Sequence, residues 1–184
     1  MLINGKISYP KLEQIVFCLR DKINNSYLKK IYHYNGLWLL KFNHYSFVFE
    51  PGVSIWPGSF QEREKLLHSV CIKIRKEIGD KKVIGIDIID NDRTVIIQFK
   101  DYKLILELYA KGNILLLNND NSIIVLTRIY NNCSHGKIYP LQDYKEYDSH
   151  YKIDSYGWKI KDKEIYNQSN EFDNRVRLIQ IKAR

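Results

Sequence analysis

A chain of 184 residues, 45% of them apolar, can bury one sizeable core and is too short to hold several. Its 29 Lys and Arg against 21 Asp and Glu leave a net charge of +8, which favours a polyanionic partner, RNA or an acidic membrane surface, without choosing between them. Cys18, Cys71 and Cys133 share no close spacing, which argues against a disulfide framework and a compact zinc site; no cleavable leader and no run of about eighteen apolar residues is present, so a soluble, cytoplasmic protein is expected.

Between Pro10 and Asn24, residues Leu12, Ile15, Val16, Leu19 and Ile23 fall at the three-and-four spacing of one helical face, with Pro10 in the first turn and Ser8 as a cap. Tyr27 to Tyr34, Leu37 to Phe42 and Tyr45 to Glu50 are rich in aromatic and aliphatic residues and turn at Asn35-Gly36, which predicts an antiparallel meander. Pro51-Gly52 and Pro57-Gly58 break the chain.

Ser59-Phe60-Gln61-Glu62 has the form of a capping box, predicting a second helix to about Ile78 with Leu66, Leu67, Val70, Ile74 and Ile78 buried. Its other face would carry Arg63, Lys73, Arg75 and Lys76, either as an ordinary solvated surface or as an RNA contact. His68, on this helix, reads as a satisfied boundary residue, and Cys18 and Cys71 as small buried ones.

Five further strands are predicted, at Lys82 to Ile89, Arg93 to Phe99, Lys103 to Leu108, Asn113 to Leu117 and Ser122 to Tyr130, joined by short polar turns that favour antiparallel neighbours. The stretch Leu104 to Leu117 reads as a buried hairpin around Tyr109-Ala110-Lys111-Gly112-Asn113. Inside it Glu107 must either face solvent or meet a cation, because an unpaired buried carboxylate is expensive. Eight strands and two helices make an α+β domain, an antiparallel β-sandwich or flattened barrel with the helices at one side.

Beyond Asn131 the periodic apolar runs disappear, and Tyr139, Tyr144, Tyr147, Tyr151, Tyr156, Trp158 and Tyr166 are interleaved with charge. Such tyrosines either stack on RNA bases or lay an extended segment over the domain. Arg175, Arg177, Lys182 and Arg184 end the chain in a segment without acids, suited to ordering against nucleic acid. The expected division is a domain over 1–140 and a Tyr-rich, basic extension over 141–184. The five histidines have no paired spacing, and no Gly-rich phosphate loop or acid pair stands out, so no catalytic residue, cofactor, metal or small-molecule substrate is expected.

Glu107-Leu108-Tyr109-Ala110-Lys111-Gly112-Asn113 followed by an apolar strand resembles the N-terminal domain of the NFACT family, the ribosome-associated quality-control factors that include proteins first called fibronectin-binding. Trp56-Pro57 and Ser59-Phe60, Asp92-Arg93, Leu126-Thr127-Arg128 and Gly136-Lys137-Ile138-Tyr139 resemble further family segments in the same order, from about Lys6 to Pro140, leaving the tail outside. The resemblance implies a fold similar to the N-terminal domain of formamidopyrimidine-type DNA glycosylases, used to engage tRNA and the large ribosomal subunit. It also implies that Asp92 and Arg93 handle tRNA. A turn-borne Arg93 could grip a phosphate with Asp92 orienting it, whereas the residues alone equally fit a local turn in which Asp92 caps its own backbone. Lys11 stands where family members carry an Asp, reversing the sign at one functional position.

The candidate RNA contacts are therefore Asp92, Arg93, Lys11, Lys111 and Arg128, with Lys73 and Lys76 on the second helix and Arg175, Arg177, Lys182 and Arg184 in the tail. The expectation is a natural minimal form, lacking the family's helix-hairpin-helix, coiled-coil and C-terminal segments. It would be a non-enzymatic factor that docks at tRNA sites of the large subunit and inhibits translation as a dormancy factor. The alternative is a quality-control factor that binds peptidyl-tRNA on stalled large subunits and recruits tRNA for tail addition. A glycosylase lacks its terminal proline here, since the chain begins Met1-Leu2-Ile3, and an adhesin lacks an export signal.

Overall fold

The computed structural model describes residues 2–3, 6–61, 66–89 and 92–141. A short pair, β1 (Leu2–Ile3) and β2 (Lys6–Ile7), leads into helix α1 (Tyr9–Ile23). Strands β3 (Leu28–Tyr34), β4 (Leu37–Phe42), β5 (Ser46–Glu50) and β6 (Ser54–Pro57) follow, then helix α2 (Ser69–Ile78). Strands β7 (Val83–Ile88), β8 (Thr94–Phe99), β9 (Tyr102–Glu107), β10 (Asn113–Asn118) and β11 (Ile123–Leu126) complete the described order.

The strands form two antiparallel sheets, β3-β4-β5-β6 and β11-β10-β9-β8-β7. They do not close into a barrel. Alternation along each strand sends Trp38, Leu40, Phe47 and Phe49 from the first sheet and Val95, Ile97, Leu104 and Leu106 from the second into one core. The apolar stripes of α1 and α2, with Leu12, Leu19, Ile74 and Ile78, seal it.

The outer faces bury side chains as well, which is why these strands read as almost continuous apolar runs. On the first sheet Leu39, Val48 and Trp56 form a second cluster with Phe60. On the second sheet Ile96, Ile105 and Leu115 are covered by Cys133 and Tyr139, with Tyr130 and Leu141 packed alongside. Residues 130–141 thus form a strap across that face. Tyr139 therefore lies over the domain, while Tyr144 to Tyr166 and the basic tail lie outside the described residues.

Three expectations need correction. The capping box at Ser59 does not open α2. Phe60 is buried on the outer face of the first sheet, and the helix starts at Ser69, where the His68 side chain accepts from the Val70 amide through Nδ1 at 3.2 Å. Leu66 and Leu67 accordingly stand exposed rather than in the core, and Cys71 takes the place on the buried stripe. Secondly, the segment between the two Pro-Gly pairs supplies a strand, β6, that the breakers concealed: Pro57 ends it at the sheet edge, where its missing N–H disturbs no inner ladder. Finally Ser8 occupies the cap position of α1 but makes no side-chain cap bond.

Candidate nucleic-acid interface

The buried polar residues of the second sheet gather at one end. Register places Thr94, Glu107 and Asn113 directly opposite one another on β8, β9 and β10, and all three are fully buried. A polar row in an apolar sheet must find partners, and each member finds them in a different loop.

Contrary to the expectation that it would face solvent or meet a cation, Glu107 is fully buried and is met by three tyrosine hydroxyls. Its Oε1 accepts from the hydroxyls of Tyr109 at 2.9 Å, Tyr139 at 2.7 Å and Tyr130. Oε2 is buried without a hydrogen-bond partner among the described residues. Burial, above all, pushes the Tyr109 phenol up to about 12, with the Glu107 carboxyl reinforcing the shift and the Tyr130 hydroxyl opposing it. Burial followed by Glu107 also raises Tyr130 and Tyr139, so all three phenols stay protonated as donors at neutral pH.

Asn113 clamps the chain after β11. Its Oδ1 accepts from the Thr127 amide, the Thr127 hydroxyl and the Arg128 amide at 3.2, 2.6 and 3.1 Å, and its Nδ2 donates to the Arg128 carbonyl at 2.7 Å. The Arg128 guanidinium lies over the Tyr130 ring at 4.7 Å, and its Nε donates to the Gly112 carbonyl at 3.3 Å.

Thr94 donates its hydroxyl to Asp92 Oδ2 at 3.3 Å, while Asp92 Oδ1 accepts from the Arg93 amide at 2.7 Å. Asp92 therefore makes the contacts of the local-turn alternative. Arg93 is half-buried and donates from Nη1 to the Ile7 carbonyl at 3.3 Å.

The β9–β10 turn is where these loops meet. Ala110 and Gly112 take positive φ values of 49° and 69°, and the Gly112 amide closes the turn on the Tyr109 carbonyl at 2.8 Å. The turn rests against Pro51-Gly52, whose Gly52 amide donates to the Glu107 carbonyl at 3.2 Å. Lys6 reaches across to donate to the Ala110 carbonyl at 2.7 Å, and Lys111 projects exposed.

The fold thus brings Lys111 and Arg128 to one turn, sets Arg93 nearby with its carbonyl bonded to the Leu108 amide and its guanidinium on β2, and adds Lys6, whose partner Ala110 lies 104 residues away in sequence. It does not bring the other candidates there. Lys11 is only 5% exposed on α1, so the expected surface contact is instead a buried side chain. Lys73 and Lys76 are exposed on α2, and no hydrogen bond or ion pair among the described residues ties them to the turn. Arg75 does not stand free beside them: its Nε donates to the Ile31 carbonyl at 3.0 Å and its guanidinium covers Tyr32 at 4.7 Å. Arg63, Arg175, Arg177, Lys182 and Arg184 lie outside the described residues. Among the described residues no three His, Cys, Asp or Glu side chains are grouped to hold a metal, and no helix is long and apolar enough to cross a membrane.

A two-sheet α+β domain with a cationic turn at one end defines the class, and comparison with known proteins defines the family. The family described as NFACT N-terminal and middle domains matches residues 61–181, and the chain belongs to it. That match runs past Pro140, beyond the last of the motifs that resemble the family. An archaeal Rqc2 homolog, aRqcH, from Methanocaldococcus jannaschii is 37% identical over 89 residues, covering 46% of this chain and 13% of that protein. Ribosome quality control complex subunit 2 from Schizosaccharomyces pombe is 29% identical over 126 residues, 60% of this chain and 12% of that one. The chain thus spans a small fraction of these relatives' length. Among solved structures, the N-terminal domain of fibronectin-binding protein PavA from Streptococcus pneumoniae superposes with a TM-score of 0.62 at 17% identity, covering 94% of this chain and 80% of that one. The N-terminal part of the fibronectin/fibrinogen-binding protein from Streptococcus suis gives 0.58 at 17% identity, covering 85% of this chain and 67% of that one. These two establish the shared fold.

Proposed function

We propose that this chain is a non-enzymatic, cytoplasmic RNA-binding factor that acts in ribosome quality control, engaging the large ribosomal subunit and its tRNA through the cationic β9–β10 turn. The observation that supports it is family membership together with two relatives named ribosome quality control complex subunit 2 and a third named an archaeal Rqc2 homolog. Lys6, Lys111 and Arg128 at one turn, with Arg93 bonded to the adjacent β2, agree with a phosphate-bearing partner. A dormancy role finds no support in the relatives' names, and quality control takes its place as the leading reading.

The test is sedimentation of the full chain with ribosomes from its own cells through gradients at low and high salt, with the associated RNA identified. Quality control predicts salt-sensitive association with large subunits that carry peptidyl-tRNA. Association with whole ribosomes devoid of tRNA would favour dormancy, and absence from every ribosomal fraction would overturn both.

A further inference from the structure

Arg128 is held from three sides. Asn113 bonds both its backbone N–H and its carbonyl, Gly112 takes its Nε–H, and the Tyr130 ring lies beneath its guanidinium. The two outer supports are themselves fixed. A β-carbon on Gly112 would fall 2.0 Å from the Gly52 nitrogen and 2.2 Å from the Pro51 carbonyl carbon, so the backbone that offers the Gly112 carbonyl is wedged against another turn. The Tyr130 hydroxyl is bonded to the buried Glu107, to which Tyr139 also donates from the strap. Among the described residues Nη1 and Nη2 of Arg128 have no partner, although the side chain is half-buried. A guanidinium whose Nε is already engaged and whose plane is set by an aromatic ring presents its two terminal nitrogens as a ready fork, the geometry that grips two oxygens of one phosphate.

We propose that Arg128 is a preformed phosphate fork and that Glu107 is its positioning residue, acting through the Tyr130 hydroxyl rather than by touching the ligand. Lys111, beside Gly112 in the turn, adds charge without adding direction. Only the identity of the anion as an RNA phosphodiester rests on the function proposed above; the fork itself does not. The arrangement depends on Arg128 and Tyr130 lying two residues apart while the acid that anchors the ring is 23 residues away.

Two measurements on the full chain test it. In the first, inorganic phosphate is titrated while the arginine Nε–H signals are followed by NMR. The Arg128 signal should respond at about ten-fold lower phosphate than that of Arg20, whose Nη2 is already committed to Asp87 at 2.6 Å. Tyr130→Phe, which keeps the ring and removes the anchor, should weaken the Arg128 response about three-fold, and Glu107→Gln should do the same without adding to it. In the second, binding to deacylated tRNA is measured across salt. Arg128→Ala should lower the dependence of log affinity on log salt by about one, whereas Arg128→Lys should retain that dependence and still lose about five-fold in affinity.

An Arg128 signal no more sensitive than that of Arg20, or one unchanged by both Tyr130→Phe and Glu107→Gln, would overturn the fork even if tRNA binds. A phosphate-responsive Arg128 in a protein that ignores tRNA would uphold the fork and remove the proposed function.

Discussion

The hydroxyl of Tyr139 donates to Glu107 Oε1 at 2.7 Å across 32 residues of sequence, tying the strap over the second sheet to a fully buried carboxyl in its middle strand. Strap and hairpin therefore share one polar anchor. Tyr139→Phe removes a donor from that carboxyl and leaves the packing of the ring intact. A loss of about 1–3 kcal/mol is expected, the range for depriving a buried polar group of its partner. Urea denaturation would measure it, and an unchanged midpoint would show that Tyr109 and Tyr130 satisfy Glu107 without help.

Gly112 and Gly36 both adopt positive φ, at 69° and 82°, but in different surroundings. A β-carbon at Gly36 would meet nothing within 4 Å, so Gly36→Ala should lose only the roughly 1–2 kcal/mol of a left-handed alanine. Gly112→Ala would in addition drive its methyl into the backbone of Pro51 and Gly52 and should lose several kcal/mol more. Comparable losses in the two variants would show that the turns do not pack as described.

Raising the pH should loosen the strap. The unfolded phenols titrate near 10, whereas Tyr109 in the fold is pushed up to about 12, and Tyr130 and Tyr139 are also raised. A folded pKa above the unfolded value means that the contribution is complete below pH 10 and is lost as pH climbs from 10 through about 12. Denaturation midpoints should hold up to pH 10 and then fall, with phenolate absorbance from this group appearing later than that of the exposed tyrosines. If all the tyrosines ionised together near pH 10, the carboxyl–phenol cluster would not exist in solution.

Asn113→Ala deletes four hydrogen bonds to Thr127 and Arg128. Stability should drop by roughly 2–4 kcal/mol, and the Arg128 amide should lose protection from hydrogen exchange before the sheet does, while the Thr127 amide keeps its bond to the Ile114 carbonyl at 3.2 Å. Protection that survives at the Arg128 amide would assign the clamp to the strand pairing of β10 with β11 instead.

Much of this architecture was legible because it depends on neighbours in sequence. Asn35-Gly36 and the 109–113 corner announce reversals through backbone freedom, and both are reversals in the fold, with positive φ at Asn35, Gly36, Ala110 and Gly112. The stripe of α1 is a local periodicity and came through unchanged. Where the sequence reading failed, a distant surface had intervened. The signal for a helix at Ser59 was sound locally, but Phe60 has an apolar sheet face to cover, and burying its ring outweighs a capping box. Lys11 was expected among the contacts because it stands where the family carries a functional Asp, and its burial follows from where α1 packs.

By itself the sequence determined that the chain folds around antiparallel strands and two amphipathic helices, that it carries excess positive charge, and that it resembles a family by motifs in fixed order. The tertiary structure alone decided which charges stand together and what Glu107 is for. Alternation shows only that Glu107 shares a face with Ile105; it cannot show that three tyrosines converge there, two of them from a strap 23 and 32 residues further on. The physical reason is that backbone preference acts over a few residues, whereas satisfying a buried carboxyl requires donors from whichever segment the packed core brings within about 3 Å.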